Sequence, residues 1–241
     1  MTKKGKIMRV CFEVEGRHAM FTEPLSRVSG EKQSLQIPTR EALKGIAKSI
    51  YWKPTFVYEI EKVRVMNPIR FESMGVRLPN YKGGNDLATY LYLKDVRYQV
   101  QAVMKWNMNR PEYAEDRIVG KHLVSFADAL AKGGRRDVCL GTRECQAFVS
   151  ECRFGEGSGA YDDADIMGFG LMYYGITYPD EGWNEETRNQ MSVHWWMPEM
   201  RNGIIEFPPP SRHDAVITRK MKPMKMGMFE RHQEEQDGIS Q

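Results

Sequence analysis

The chain has 241 residues, of which 41% are hydrophobic and 28% are charged, and its formal net charge at pH 7 is +3. This is the composition of an ordinary globular protein, so a disordered or fibrous chain is excluded, and the length allows one large domain or two small ones. No segment approaches the roughly 18 consecutive apolar residues that a membrane span requires, which predicts a cytoplasmic protein that makes no membrane contact.

The first part of the chain predicts the order strand, helix, strand. The segment MRVCFEVEG alternates apolar and polar residues, which is the pattern of a half-buried strand. In PTREALKGIAKSIYW the apolar residues recur at helical spacing, at Leu43, Ile46, Ala47 and Ile50. Thr39 lies where the N-cap of this helix is expected. The segment TFVYEIEKVRV is rich in β-branched and aromatic residues and predicts the second strand.

The next part predicts a loop, a strand, a helix and a further strand. ESMGVRLPNYKGGND predicts a glycine-rich loop, and TYLYLKDVRYQVQAVMKWN predicts the third strand with a hairpin partner. Ser125 followed by Asp128 resembles a capping box, and Gly133 with Gly134 predicts a helix stop near Lys132. CQAFVSECRF predicts the fourth strand. The order β-α-β-β-α-β predicts an α+β fold of the ferredoxin-like (RRM-like) type, with two helices on one sheet face and the other face free for a ligand.

The domain organisation follows from this pattern. Residues 1–154 are predicted to form the ferredoxin-like domain. Residues 155–221 are rich in glycine, tyrosine and acids, and their strand candidates GLMYYGITY, VHWWM and NGIIEFPPP predict a small β-rich C-terminal domain. Residues 222–241 show no sustained periodicity, which predicts a flexible tail.

Cysteine and histidine spacing gives no support for a metal site. The four cysteines form no C-x-x-C pair, and the five histidines form no H-E-x-x-H motif. We therefore expect reduced thiols, no bound metal and no other cofactor. A metal-dependent nuclease would need clustered carboxylates, and the acids from Asp162 to Asp165, in a glycine-rich segment, are expected to be solvated.

Positive charge is concentrated in the middle of the chain. Between Arg117 and Arg143 there are six Lys or Arg and two acids, a local balance of +4. Within this stretch GGRRDVCLGTREC combines glycines with Arg135, Arg136 and Arg143, and guanidinium groups beside small residues are suited to binding phosphates. The alternative is a tight loop with a solvated basic surface.

Three side chains could together cleave RNA. RNA supplies its own nucleophile, the 2′-hydroxyl, so an imidazole, an ammonium and a phenol suffice for deprotonation and charge stabilisation without a metal. Lys121 and His122 are adjacent in the basic stretch, and Tyr51 lies at the end of the first helix. The alternative is an ordinary surface pair and a core tyrosine.

The residues together resemble a known family. The runs GEKQSLQIPTREALKGIAKSIYWKPTFVYEIEKVRVMNPIRFES, GGNDLATYLYLKDVRYQVQA, DRIVGKH and AKGGRRDVCLGTRECQAFV are similar to the type I-C (Dvulg-subtype) CRISPR-associated Cas-five endoribonucleases of the RAMP superfamily. The likeness extends from about Phe12 to Cys152. It implies a ferredoxin-like fold and cleavage of CRISPR precursor RNA at the base of the repeat hairpin, without a metal, by 2′-hydroxyl attack.

The resemblance also implies partners and site residues. The expected partners are CRISPR repeat RNA, the mature guide RNA held by its 5′ handle, the other subunits of a type I-C surveillance complex, and duplex DNA. The family's catalytic tyrosine in S-I-Y-W-K-P maps onto Tyr51, and its Lys-His pair in G-K-H maps onto Lys121 and His122. Lys53 and Lys132 join the three arginines as candidate RNA-binding residues.

The roles expected on chemical grounds leave one main alternative open. We expect His122 to act as general base or acid, Lys121 to stabilise the phosphorane, and Tyr51 to orient or activate the 2′-hydroxyl, giving a 2′,3′-cyclic phosphate and a 5′-hydroxyl. The alternative is a structural subunit that caps the guide RNA without cutting it. Such a cap would not need these three residues.

Overall fold

A computed structural model describes residues 8–22, 32–79, 81, 83–179, 185, 189–209, 212 and 216–223. The helices in this part of the chain are α1 (Arg40–Ile50), a 3-10 helix (Pro111–Asp116) and α2 (Val119–Ala131). The strands are β1 (Met8–Ala19), β2 (Lys32–Gln33), β3 (Phe56–Val65), β4 (Phe71–Pro79), β5 (Asn85–Trp106), β6 (Val138–Cys139), β7 (Gln146–Ser150), β8 (Met167–Gly168), β9 (Met172–Thr177), β10 (Gln190–Trp196), β11 (Glu199–Arg201), β12 (Ile204–Glu206) and β13 (Val216–Pro223).

One large sheet organises the described part of the chain. Its strand order is β6-β7-β1-β5-β3-β12-β11-β8, and β2 and β4 also pair with β5. Every pairing in this sheet is antiparallel except that of β2 with β5. The predicted α+β class, a mostly antiparallel sheet with few helices, is confirmed. None of the helices in these residues has the length and apolar character needed to cross a membrane.

The core lies between the two helices and one face of this sheet. Phe12 of β1 is fully buried, and its ring centroid lies 6.3 Å from that of Phe126 in α2. The four apolar positions predicted for the first helix are all buried in α1, together with Arg40 and Lys44. Thr39 caps α1 as predicted, since its side-chain oxygen accepts the backbone N–H of Ala42 at 3.2 Å.

The prediction of a loop in ESMGVRLPNYKGGND was wrong. Most of this segment forms β4 and the beginning of β5, paired from Phe71 opposite Leu93 to Pro79 opposite Asn85. Cross-strand pairing outweighs the glycine and proline signals here, because Met74, Val76 and Leu78 alternate and pack against the core. The predicted third strand is likewise a single strand of 22 residues, β5, which continues through its expected hairpin partner.

The second helix begins earlier than predicted. It starts at Val119, so Ser125 lies in its interior and the predicted capping box of Ser125 and Asp128 is wrong. The predicted stop is confirmed, because Gly133 and Gly134 have φ angles of 80° and 111°, which favour glycine. Their N–H groups donate to the carbonyl oxygens of Leu130 and Ala129 at 2.9 Å and 2.8 Å, which closes the helix.

The sheet face opposite the helices is partly covered by the chain itself. Arg64 is buried there and binds the Asp162 carboxylate, with Nη2 at 2.7 Å from Oδ1, and it also donates to the carbonyl oxygens of Glu156 and Gly157. Gln99 on the neighbouring strand donates to the carbonyl of Glu156 at 2.8 Å. The expectation of a free face is therefore wrong at this position, and Asp162 is ion-paired where solvation was expected.

The predicted C-terminal strands are present. The segments GLMYYGITY and NGIIEFPPP contain β9 and β12, and VHWWM contains the last four residues of β10. β8, β11 and β12 extend the large sheet beyond β3, and β9, β10 and β13 form a separate three-stranded sheet. The division into domains 1–154 and 155–221 stays a prediction. The predicted tail lies outside the described residues, apart from its first two, which end β13.

Candidate active site

The fold brings the three predicted catalytic residues together at one end of the two helices. Tyr51 is the C-cap of α1, with its backbone N–H donating to the carbonyl of Ala47, and Lys121 and His122 lie in the first turn of α2. The phenol oxygen of Tyr51 is 2.9 Å from Nδ1 of His122, which is a hydrogen-bonding distance.

The partners of His122 fix which ring nitrogen carries the proton. Nε2 lies 2.7 Å from the backbone carbonyl oxygen of Asp116, and a carbonyl oxygen can only accept. Nε2 is therefore protonated and donates to this carbonyl. In the neutral imidazole Nδ1 is then an acceptor, so the Tyr51 hydroxyl donates to it. The arrangement is a directed chain from the phenol through the imidazole to the carbonyl.

Burial separates the roles that Tyr51 and His122 can take. His122 is fully buried, and its ring makes edge contacts with Phe56 and Trp106 at centroid distances of 5.2 Å and 5.5 Å. Tyr51 retains 7% exposure. Of the two residues only Tyr51 retains any exposure, so the proposal that follows has a ligand meet the phenol before the imidazole.

Lys121 is the exposed cation of the site. Its side chain is 51% exposed, and its ammonium donates to the Asp116 carboxylate, which also accepts the hydroxyl of Thr55 at 2.6 Å. The hydrogen bond from Lys121 lowers the pKa of Asp116 to about 2, and the same bond raises the pKa of Lys121. Both groups are consequently charged at neutral pH.

Further contacts on both sides hold the site in place. Tyr58 donates its hydroxyl to the carbonyl of Tyr51 at 2.8 Å, and burial raises the pKa of Tyr58, so this donor stays protonated. Tyr51 also stacks on Phe56, with ring centroids 5.7 Å apart and an interplanar angle of 26°. On the other side, Arg117 donates to the carbonyls of Asn107 and Arg110, which anchors the turn that leads into Asp116.

Three of the five predicted RNA-binding residues lie along one side of α1. The backbone N–H of Arg135 lies 3.0 Å from the carbonyl oxygens of both Ser49 and Ile50, so this loop packs beside Tyr51. Arg136 and Arg143 line a groove of about 550 Å³. Its other lining residues are Ala42, Gly45, Ile46, Ser49, Asp137, Cys139, Gly141 and Gln146.

The other two predicted cations lie elsewhere on the surface, and of the five only Arg136 and Arg143 line that groove. Lys53, two residues after Tyr51, and Lys132, at the end of α2, are both exposed. Neither lines the groove of Arg136 and Arg143. All five cations are exposed at the surface, where they are available to a polyanion.

Asp116 and Thr55 were not predicted as site residues. Asp116 lies within DRIVGKH, five positions before Lys121. An acid shortly before a Lys-His pair is the one feature of the sequence that could have indicated it. Thr55 carried no signal, because its contact with Asp116 joins residues 61 positions apart. Within the described residues, no three His, Cys, Asp or Glu side chains converge as a metal site would require. The expected absence of a metal remains a prediction.

Comparison with known proteins adds independent findings. A family model described as CRISPR-associated protein (Cas_Cas5), the Cas5d group, matches residues 10–208. The chain is 27% identical over 228 residues to the CRISPR pre-crRNA endoribonuclease Cas5d of Mannheimia succiniciproducens, covering 83% of this chain and 95% of that protein. It is 34% identical over 152 residues to the protein of the same name from Thermus thermophilus, covering 59% of this chain and 63% of the relative.

Two solved structures are also similar to this chain over most of its length. A crystal structure described as that of a CRISPR-associated protein superposes with a TM-score of 0.71 at 32% identity, covering 88% of this chain and 100% of the other. A functionally uncharacterized protein from Streptococcus mutans superposes with a TM-score of 0.68 at 34% identity, covering 87% and 96%. The match therefore extends over nearly the whole length of both solved chains.

Proposed function

The chain belongs to the Cas5d family of CRISPR-associated proteins, and from this premise we propose that it is the endoribonuclease that processes CRISPR precursor RNA at the repeat hairpin. After cleavage it stays bound to the 5′ handle of the guide as a subunit of a cytoplasmic type I-C surveillance complex. The observation that carries this proposal is the hydrogen bond of 2.9 Å between the Tyr51 phenol and His122, beside the ammonium of Lys121.

The arrangement of the core is proposed to be ferredoxin-like. The neighbouring strands β7, β1, β5 and β3 are antiparallel to one another, and α1 and α2 occur where a β-α-β-β-α-β order requires them. This order supports the proposal because it brings the end of α1 and the start of α2 to one side of the sheet.

The proposed chemistry begins at the 2′-hydroxyl of the nucleotide before the scissile phosphate. The Tyr51 oxygen takes the 2′-hydroxyl proton as the phenol passes its own proton to Nδ1 of His122. The 2′-oxygen then bonds to phosphorus, and the bond from phosphorus to the 5′-oxygen breaks. The products are a 2′,3′-cyclic phosphate and a 5′-hydroxyl, whose oxygen takes up a proton from Lys121 or from solvent.

Lys121 is proposed to stabilise the negative charge that develops during this step. A phosphorane carries more charge than the starting phosphodiester, so a fixed cation beside it lowers the barrier. The 51% exposure of the Lys121 side chain leaves its ammonium accessible to RNA. A phenol, an imidazole and an ammonium meet the needs of this reaction, which supports the proposal that it proceeds without a metal.

The proposed path of the RNA runs from Tyr51 along α1. Arg136 and Arg143 bind phosphates in the groove, and Arg135, Lys53 and Lys132 add charge around it. Gly45 leaves the floor of the groove open, because a Cβ at that position would meet nothing within 4 Å. Trp52, next to Tyr51 and 40% exposed, offers a flat surface on which a base can stack.

The competing function is that of a structural subunit that caps the guide RNA without cutting it. The complete burial of His122 favours this alternative, since a buried imidazole is an ordinary core feature. Both functions use the same arginine groove, and both allow duplex DNA as a further partner of the assembled complex.

Incubation of the protein with a CRISPR repeat RNA from the same genome, in excess chelator, tests the proposal. The endoribonuclease gives two fragments, the upstream one ending in a 2′,3′-cyclic phosphate. Tight binding with intact RNA, with or without Mg²⁺, would identify the cap. Cleavage only with Mg²⁺ would retain the endoribonuclease and overturn the metal-independent mechanism.

A further inference from the structure

Asp116 contacts both members of the Lys-His pair through different atoms. Its backbone carbonyl accepts the Nε2 proton of His122 at 2.7 Å, and its carboxylate accepts the ammonium of Lys121. Its carboxylate Oδ2 also lies 3.6 Å from Nε2 of His122. One residue at the end of the 3-10 helix therefore joins the cation of the site to its imidazole.

The carbonyl contact orients the imidazole. If Nε2–H donates to a backbone oxygen, Nδ1 is left as the acceptor that faces the Tyr51 hydroxyl. The reverse tautomer would place two acceptors, Nε2 and the carbonyl oxygen, against each other, which is unfavourable in a buried site. This contact belongs to the backbone, so it survives a change of the Asp116 side chain.

The carboxylate contact orients the ammonium. A lysine side chain has four flexible methylene groups, so an exposed Lys121 without a partner would sample many positions. An ammonium has three N–H donors, and one bond to Asp116 leaves two for the RNA. Asp116 is itself held by the Thr55 hydroxyl at 2.6 Å, so Lys121 is anchored to a fixed carboxylate.

The same carboxylate opposes binding of the substrate. It is an anion beside the proposed position of the scissile phosphate, and like charges at short range repel. A carboxylate at this position is therefore unfavourable for RNA affinity, and its value must lie in the geometry that it imposes on Lys121.

We propose that Asp116 is a positioning residue of the RNA cleavage site, whose carboxylate holds the Lys121 ammonium beside the Tyr51 and His122 pair at some expense of RNA affinity. This inference rests on the proposed function. It distinguishes Asp116 from a purely structural residue, because it requires opposite effects on turnover and on binding.

The test compares Asp116→Asn with the wild-type protein in single-turnover cleavage and in RNA binding. The substitution keeps the shape and the backbone carbonyl and removes the charge. We expect the rate at saturating protein to fall about 10- to 100-fold, since small displacements of a catalytic group have effects of this order. RNA should bind more tightly, because the negative charge beside the proposed position of the scissile phosphate is removed. Asp128→Asn, which removes one exposed carboxylate from α2, is the matched control and should change neither quantity.

Thr55→Val provides a second variant if Asp116→Asn folds poorly. It removes the hydroxyl that holds the carboxylate but keeps the charge, so a smaller loss of rate with unchanged RNA affinity is expected. A normal saturated rate in both variants would overturn the positioning role, and so would a parallel loss of rate and affinity.

Titration of the Lys121 side chain by NMR, without RNA, separates this inference from the proposed function. Contact with Asp116 predicts a pKa of Lys121 above that of an ordinary lysine in the wild-type protein and a return to the ordinary range in Asp116→Asn. If the wild-type protein cuts no repeat RNA, the proposed function fails. An ordinary Lys121 titration in the wild-type protein would overturn the positioning contact, whether or not RNA is cut.

Discussion

The phenol oxygen of Tyr51 lies 2.9 Å from Nδ1 of His122, although the two residues are 71 positions apart in the chain. The contact joins the C-cap residue of α1 to the first turn of α2. His122 has no exposure and Tyr51 keeps 7%, so the proposed reaction passes the proton from bound RNA to the imidazole through the phenol. The proposed mechanism therefore treats the pair as a single unit.

Replacement of Tyr51 by Phe removes the hydroxyl that is proposed to take the proton from RNA. We expect single-turnover cleavage to fall by about 10²- to 10⁴-fold, the usual contribution of a positioned acid or base. The ring should keep its stacking on Phe56, so RNA affinity should change little. Tyr161→Phe removes a hydroxyl that accepts the N–H of Ile69, away from the site, and serves as the control. Equal rates in the two variants would remove Tyr51 from the mechanism.

Two replacements of His122 separate chemistry from stability. His122→Ala leaves a cavity and two unpaired polar groups in a fully buried position, so we expect a loss of about 2–4 kcal/mol in the free energy of unfolding. His122→Gln can still donate to the carbonyl of Asp116 and should lose less stability, but it supplies no base. Cleavage assays should therefore show that His122→Gln is inactive, and denaturant unfolding should show that it is more stable than His122→Ala. An active Gln variant would contradict the role of the imidazole.

Much of this site was predictable from the sequence, and the part that was missed depends on tertiary contacts. The alternation in β1 and the helical spacing of α1 locate both elements, because local periodicity decides them. Family resemblance then indicated Tyr51, Lys121 and His122. Thr55 and Asp116 meet only after folding, so no local pattern linked them.

The errors in the predicted fold also arise from contacts between residues far apart in the sequence. β4 contains Gly75 and ends at Pro79, which are loop signals, but its pairing with β5 is a long-range property of the sheet. α2 begins without a side-chain cap, so nothing in the sequence marks its start at Val119, and the pattern of Ser125 with Asp128 predicts a cap further along. The ion pair of Arg64 with Asp162 closes part of a face that strand patterns alone leave open.

The salt dependence of RNA binding tests the groove along α1. If Arg136 and Arg143 each contact one phosphate, the double replacement by Gln should reduce the slope of log affinity against log salt by about 1.4, at about 0.7 for each contact to a single strand. Arg9→Gln is a matched control, because Arg9 is exposed but forms an ion pair with Glu61 at 2.9 Å. An unchanged slope in the double variant would place the RNA elsewhere.

The pH profile provides a further test of Asp116. Its pKa is lowered from 3.8 to about 2, so the carboxylate stays charged from neutral pH down to about pH 4. The contact with Lys121 stabilises the folded state fully above the pKa that Asp116 has in the unfolded chain. This stabilisation is lost as pH falls through the pKa that Asp116 has in the folded protein. Between pH 5 and 8 the wild-type and Asp116→Asn log-rate profiles should therefore be parallel. A separation that changes with pH in this range would show that another titration is coupled to Asp116.

The most direct test of the proposed reaction uses a repeat RNA with one 2′-deoxy nucleotide immediately before the scissile phosphate, incubated with the wild-type protein in excess chelator. The account predicts that the all-ribose RNA is cut to a 2′,3′-cyclic phosphate and a 5′-hydroxyl, and that the single deoxy substitution abolishes cutting while the RNA remains bound. Cleavage of the deoxy-substituted RNA at the same position would contradict attack by the 2′-hydroxyl and the role assigned to Tyr51 and His122.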